Sequence, residues 1–295
     1  MILVSPPESI THLHLLSVLV TEIFRRPPDD GCVRILDAGC GNGHLTIVLQ
    51  TNLASLFPEL NFEIYGFDVA DHGVQADNYF SETLSWCEQH CPDVHWDERL
   101  KLTTHEQSWP FESGYFDYVL SNQVLEHVWD HTRFFAEHYR VLKTGGRGAH
   151  LFPLKHYIYE GHLKIPFAHR ISDWFFLKAY ISYMSRLGIG KFRGQKKSCI
   201  DDYAESHADY MTFYTNYLSH AELMAIVKQS RLRPSLRYTV DFYLHKFRQL
   251  FGRAVIIDLG QRKRSGFANL FASHCLKYVS SITLFVEKEN TYNHA

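Results

Sequence analysis

The stretch Ile35-Leu36-Asp37-Ala38-Gly39-Cys40-Gly41-Asn42-Gly43 constrains this chain more than any other: an apolar run passes directly into a turn with glycine at alternate positions. Glycine there lets the backbone approach a ligand that side chains would keep away, and in an open α/β sheet such a turn stands at the carboxyl edge, where ligands bind. Dinucleotide sites share a glycine-rich turn, but they set a pyrophosphate on the amino terminus of the helix that follows. Asp37 separates the two readings. A carboxylate within the turn repels phosphate and suits a cationic ligand such as an aminoacyl sulfonium.

Around this turn, short β-rich runs alternate with helical patterns, which predicts parallel strands joined by crossover helices. Strands are expected at Val33 to Leu36, Phe62 to Phe67, Arg99 to Thr103, Tyr118 to Ser121 and Gly148 to Phe152. Helices are expected from about His44, through Tyr79 to Cys87, and from Asp130 to Leu142, the last one stopping at Gly145-Gly146 in a glycine cap. After Pro153 the alternation gives way to an aromatic-rich stretch with Tyr157, Tyr159, Phe167, Trp174, Phe175, Phe176, Tyr180 and Tyr183, read as an inserted helical subdomain. Ser219 and Glu222 form a capping-box pair opening another helix, and Arg237 to Tyr243 and Ser281 to Val286 read as closing strands, antiparallel at the edge. The 295 residues suffice for one sizeable core with insertions. The expected division is an N-terminal helical segment at 1–30, a core at 31–153, a helical insertion at 154–217 and a closing part of the core at 218–295.

With these motifs the sequence resembles the class I S-adenosylmethionine-dependent methyltransferases. The resemblance is strongest from Gly31 to Pro153 and rests on four motifs in order. They are the glycine turn with the second-strand end Tyr65-Gly66-Phe67-Asp68-Val69, the segment Trp109-Pro110-Phe111 with Tyr115-Phe116-Asp117-Tyr118-Val119 after it, the post-strand-four stretch Ser121-Asn122-Gln123-Val124-Leu125-Glu126-His127-Val128, and Arg140-Val141-Leu142-Lys143-Thr144-Gly145-Gly146. It implies a Rossmann-like α/β fold: a mostly parallel seven-stranded sheet with helices on both faces, and a helical lid inserted after the fifth strand. It also implies S-adenosyl-L-methionine as cofactor. Asp37, Gly39, Cys40, Gly41 and Gly43 would wrap its methionine part, and Asp68, beside Val69, would accept from the ribose hydroxyls, with Asp71 second to it. His105 or Glu106 falls where relatives meet the adenine, and Asn122 lies in the loop after the fourth strand.

Methyl transfer is an in-line displacement at a carbon already activated by positive sulfur, so alignment supplies much of the rate. A hydroxyl acceptor must also lose a proton. His127 is the first candidate for that base, and His156, in the segment after the fifth strand, is the second. That segment mixes aromatic faces with hydrogen-bonding tips, which suits a sugar or another polyhydroxylated compound. It also resembles segments of methyltransferases in polysaccharide pathways. O-methylation of a sugar or glycan precursor is therefore the leading reading. The alternatives are methylation of a non-sugar metabolite at oxygen, nitrogen or carbon, and a binding protein that retains the fold without catalysis.

Cys87, His90, Cys91 and His95 invite a zinc reading, but Pro92 breaks the helix that would align them and no second ligand pair follows, so no metal is assigned. Net charge of -2 gives no global attraction for nucleic acid. A basic stretch between Arg231 and Lys277, interleaved with Phe247, Leu250, Phe251, Phe267 and Phe271, could rest on an anionic membrane, although a solvated face is the simpler reading. The expected partner is a small-molecule or glycan acceptor. Ile10 to Phe24 reads as an amphipathic helix, no signal peptide is visible, and the six scattered cysteines suit reduced thiols, so the chain is expected in the cytoplasm.

Overall fold

A computed structural model describes residues 9–28, 31–71, 78–194, 199–252 and 266–289. The first half carries α1 (Ile10–Arg25), β1 (Cys32–Ala38), α2 (His44–Leu56), β2 (Asn61–Val69), α3 (Tyr79–His90), α4 (Trp96–Arg99), β3 (Leu100–Thr103), β4 (Phe116–Asn122), α5 (His131–Val141) and β5 (Leu142–Pro153). The second half carries a short hairpin, β6 (Tyr159–Glu160) and β7 (Ile165–Pro166), then α6 (Trp174–Arg186), α7 (Ile200–Phe213), α8 (His220–Gln229), β8 (Leu232–Ser235), α9 (Thr239–Leu250), α10 (Gly266–Leu276) and β9 (Ser281–Lys288).

Seven strands form one sheet in the order β3-β2-β1-β4-β5-β9-β8. The pairs from β3 to β5 are parallel, and β9 and β8 close the edge antiparallel, so the fold is the Rossmann-like, mostly parallel sheet that the motifs imply. Alternation along the strands divides the core in two. Ile35, Leu120 and Phe285 face α1, α2 and α9, whereas Leu36, Val119, Leu284 and Val286 face α5 and α8. Strand order reverses between β1 and β4, which opens a crevice at their carboxyl ends. The segment between β5 and α8 has a cluster of its own, in which Leu163 and Ile165 pack with Leu177, Ile181, Tyr203, Ala204, Ala208 and Met211.

Three local expectations are corrected. Arg237 to Tyr243 is not a strand: α9 begins at Thr239, and its buried positions Thr239, Phe242 and His245 follow helical spacing. The closing strand is Leu232–Ser235 instead, paired with β9. Helix α5 stops at Val141 because Leu142 is already extended and pairs with Phe116, so Gly145 and Gly146 lie in an irregularity of β5 and not in a helix cap. Nor is α1 amphipathic, since every residue from His14 to Ile23 is buried. Its polar groups are matched from inside: His14 Nε2 meets Thr283 Oγ1 at 2.8 Å, and Glu22 pairs with Arg147 at 3.1 Å and Arg237 at 2.9 Å.

The basic stretch is partly turned inward as well, with Arg237 on Glu22 and Lys277 buried. Arg253, Arg262, Lys263 and Arg264 lie outside the described residues. Among the described residues no helix is long and apolar enough to cross a membrane.

Candidate active site

The chain reversal between β1 and β4 is where the glycine turn does its work. Gly39 and Cys40 amides both donate to the Phe67 carbonyl, at 2.9 and 3.0 Å, which folds the turn back against the end of β2. Gly39 has φ of +78°, and a Cβ placed there would lie 2.5 Å from Val124 Cγ2, so only glycine lets the turn close on the loop after β4. Gly43, with φ of +74°, is pressed in the same way against Cys87 Sγ, at 2.6 Å from where its Cβ would be. Gly41 turns its amide to Asp68, donating to Oδ2 at 2.8 Å, while the Val69 amide donates to Oδ1 at 2.7 Å.

These elements enclose a cavity of about 360 Å³. Gly39 and Gly41 come from the turn, Asp68 and Val69 from the end of β2, Thr103 and His105 from the end of β3, and Asn122 and His127 from the loop after β4. Trp109 and Phe134 supply flat apolar wall. Asp37 and Cys40 are buried beneath the turn and Gly43 lies behind it, so these three shape the cavity from outside its lining. Asp37 accepts from Thr46 Oγ1 at 3.0 Å, and burial, working against that bond, pushes its carboxyl up to about 7. A cation reaching the turn favours the ionised form.

At the end of β3, His105 lines the cavity and is pinned by Asp71, which accepts from its amide at 3.0 Å and meets its Nδ1 at 2.5 Å. Glu106 is not in the cavity lining: its largely exposed carboxylate lies 3.9 Å from His105 Nε2 and its carbonyl accepts from Arg133. Asn122 Oδ1 is buried without a hydrogen-bond partner.

In the loop after β4, His127 Nδ1 stands 2.7 Å from the Tyr214 carbonyl. A carbonyl only accepts, so Nδ1 carries the hydrogen and the lone pair of the neutral ring sits on Nε2. Beside it, the His162 ring meets that of His127 at 5.2 Å between centroids. His162 Nδ1 donates to Glu160 Oε1 at 2.7 Å, and Tyr157 and Tyr217 hydroxyls donate to the same oxygen at 3.1 Å. Burial alone would raise the Glu160 carboxyl, but the bond and charge of His162 outweigh it and hold the group down to about 2. Glu126, adjacent to His127, is buried with neither carboxylate oxygen hydrogen-bonded, and desolvation pushes it up to about 7.

His156 does not join this wall: its ring lies 6.0 Å from that of Tyr278, away from the cavity lining. Sequence reasoning passed over Glu126, although it sits in the same motif as His127. It could not foresee the grouping of Glu160, His162 and Tyr217, which meet only through the fold.

Residues 36–149 match the family described as "Methyltransferase domain". Over this part the chain is similar to methyltransferase domains. No curated protein matches the chain. Among solved structures it is similar to geranyl diphosphate C-methyltransferase from Streptomyces coelicolor A3(2), at 13% identity and TM-score 0.46 over 93% of this chain and 75% of that one. It is also similar to a putative sarcosine dimethylglycine methyltransferase from Galdieria sulphuraria, at 14% identity and TM-score 0.43 over 95% and 85%. The YcgJ protein of Bacillus subtilis is similar at 17% identity and TM-score 0.45 over 94% and 99%.

Methyltransferase domains of this class take the methyl group from S-adenosylmethionine, and the residues present fit that cofactor. Two glycines open the backbone to the cavity, Asp68 lines it with both oxygens oriented by backbone amides, and the buried Asn122 Oδ1 has no hydrogen-bond partner. The cavity volume of about 360 Å³ falls within the range of cofactor sites.

Proposed function

We propose that this chain methylates a hydroxyl of a sugar or glycan precursor in the cytoplasm, with S-adenosylmethionine held by the glycine turn and Asp68, and with the segment from 154 to 217 as a lid over the acceptor. When bound, the cofactor supplies a methyl carbon made electrophilic by positive sulfur. The protein's own contribution is alignment, exclusion of water and a place for the acceptor's proton.

The observation that carries this reading is the anchoring of His127. Its Nδ1 is held by Tyr214 O from the segment after α7, and the ring lines the cofactor cavity, so a hydroxyl proton can pass to Nε2 without a change of tautomer beforehand. A hydroxyl oxygen that gains a methyl group becomes acidic, and the imidazole of His127 would take its proton. Tyr210 and Tyr217 flank His162, which packs against His127, so an aromatic cluster of the composition that binds polyhydroxylated rings stands next to the proposed base. Adenine is assigned to the His105 side of the cavity, where Trp109 and Phe134 give flat contact.

The test is transfer of labelled methyl from S-adenosylmethionine to a panel of sugars and nucleotide sugars beside amines and carbon acids. The reading expects an O-methylated product from a polyhydroxylated acceptor. Transfer confined to nitrogen or carbon acceptors, or cofactor binding with no transfer to any, would overturn it.

A further inference from the structure

Glu126, His127 and His162 each offer one ligand atom, and the three atoms lie within 4.8 Å of one another. It is the one such grouping of histidine, cysteine and acidic side chains among the described residues. Their surroundings are those of prepared ligands. The Glu126 carboxylate is 1% exposed and accepts no hydrogen bond on either oxygen, a costly state for a buried acid unless a cation or a proton satisfies it. Both imidazoles are oriented through Nδ1 by an outer acceptor, His127 by the Tyr214 carbonyl at 2.7 Å and His162 by the Glu160 carboxylate at 2.7 Å. A histidine that ligates a metal characteristically donates its other ring nitrogen in this way.

We propose that Glu126, His127 and His162 form a binding site for a divalent transition-metal ion of the zinc class. Two imidazoles and one carboxylate are a ligand set that zinc accepts, and three protein ligands leave a fourth position open. Ligand atoms around a tetrahedral ion stand about 3.3 Å apart, so closure of at most about 1.5 Å completes the site. His162 comes from the segment after β5, and His127 and Glu126 from the turn after β4, so a bound ion ties that segment to the sheet. His127 also lines the cofactor cavity, which gives the ion a route in.

The consequence for turnover rests on the reading of His127 as proton acceptor. A lone pair given to a metal is not available to a proton, so a filled site suppresses transfer to a hydroxyl while the cofactor still binds. The site itself does not depend on that reading.

The experiment is calorimetric titration of zinc chloride into the full chain after stripping with a chelator, with cobalt(II) absorption as a second probe of coordination. One equivalent of zinc is expected, with a tetrahedral cobalt spectrum. Glu126→Gln and His162→Ala should each abolish stoichiometric binding, and Glu160→Gln should weaken it by about 10–100-fold through loss of the outer partner. S-adenosylhomocysteine affinity and circular dichroism of each variant report the fold and keep failure of the metal site apart from failure of the cofactor site. Absence of a stoichiometric site in the parent overturns the proposal, as does zinc binding that survives Glu126→Gln in a folded variant.

Discussion

The amide of Gly41 donates to Asp68 Oδ2 at 2.8 Å, so the turn after β1 holds the carboxylate at the end of β2 before any ligand arrives. With Val69 N on the other oxygen, a backbone amide holds each oxygen of the Asp68 group. A ligand hydroxyl then meets an acceptor whose rotamer is already set, and little ordering cost remains to be met on binding.

The same closeness makes Gly39 intolerant of a side chain. Gly39→Ala places a Cβ 2.5 Å from Val124 Cγ2 at φ of +78°, so either the turn or the loop carrying Asn122 must move. The expected outcome is a loss of S-adenosylhomocysteine affinity of at least about 10-fold, with a stability cost of about 1–3 kcal/mol. Calorimetry and urea denaturation on the variant check both, and an unchanged affinity would show that the turn does not shape the cavity.

His127→Ala removes the proposed proton acceptor and should lower single-turnover transfer to a hydroxyl by about 10²–10⁴ while cofactor binding barely changes. His156 is remote from the cavity lining, so His156→Ala should stay near the parent rate. Comparable losses from both substitutions would move the base out of the wall formed by the loop after β4.

Buried histidines give the fold a dependence on pH. His150, facing His138 with Nε2 atoms 3.0 Å apart, is lowered to about 3 by burial. Burial, with the charge of a neighbouring histidine, also holds His14 and His138 well below the ordinary value. In each case the unfolded chain takes up a proton near pH 6.5 and the folded chain does not, so stability is full above about pH 6.5 and is lost as pH falls below it. Three such groups contribute about 3–4 kcal/mol per pH unit near pH 5.5, and Asp37 and Glu126, whose raised carboxyls take up protons in the folded chain over the same range, offset most of it. Urea denaturation at pH 7.5, 6.5 and 5.5 on the parent and on His150→Gln isolates the histidine share, and the same pH profile in both would contradict the assignment.

Much of the cavity lining was legible in the sequence because its signals are local. The glycine turn, Asp68 two residues after Gly66, and the motif through His127 each lie within one strand and the loop that follows it. What escaped was set by the assembled fold. Arg237 to Tyr243 alternates like a strand, yet Tyr238 and Phe242, one helical turn apart, both enter the core on the α9 side of the sheet. The polar residues of α1 suggested a wet face, but Glu22 is matched by Arg147 and Arg237, which are far from it in the chain. The grouping of Glu126, His127, Glu160, His162 and Tyr217 joins a loop after β4 to a separate folded segment, and no spacing along the chain announces it.

The most direct measurement is calorimetric titration of S-adenosylhomocysteine and S-adenosylmethionine into the purified chain, beside Asp68→Ala. The parent should bind both at one site per chain, and loss of the charged acceptor should weaken binding by about 1.5–3 kcal/mol, roughly 10–150-fold. A parent chain that binds neither ligand at millimolar concentration would contradict the account at its centre.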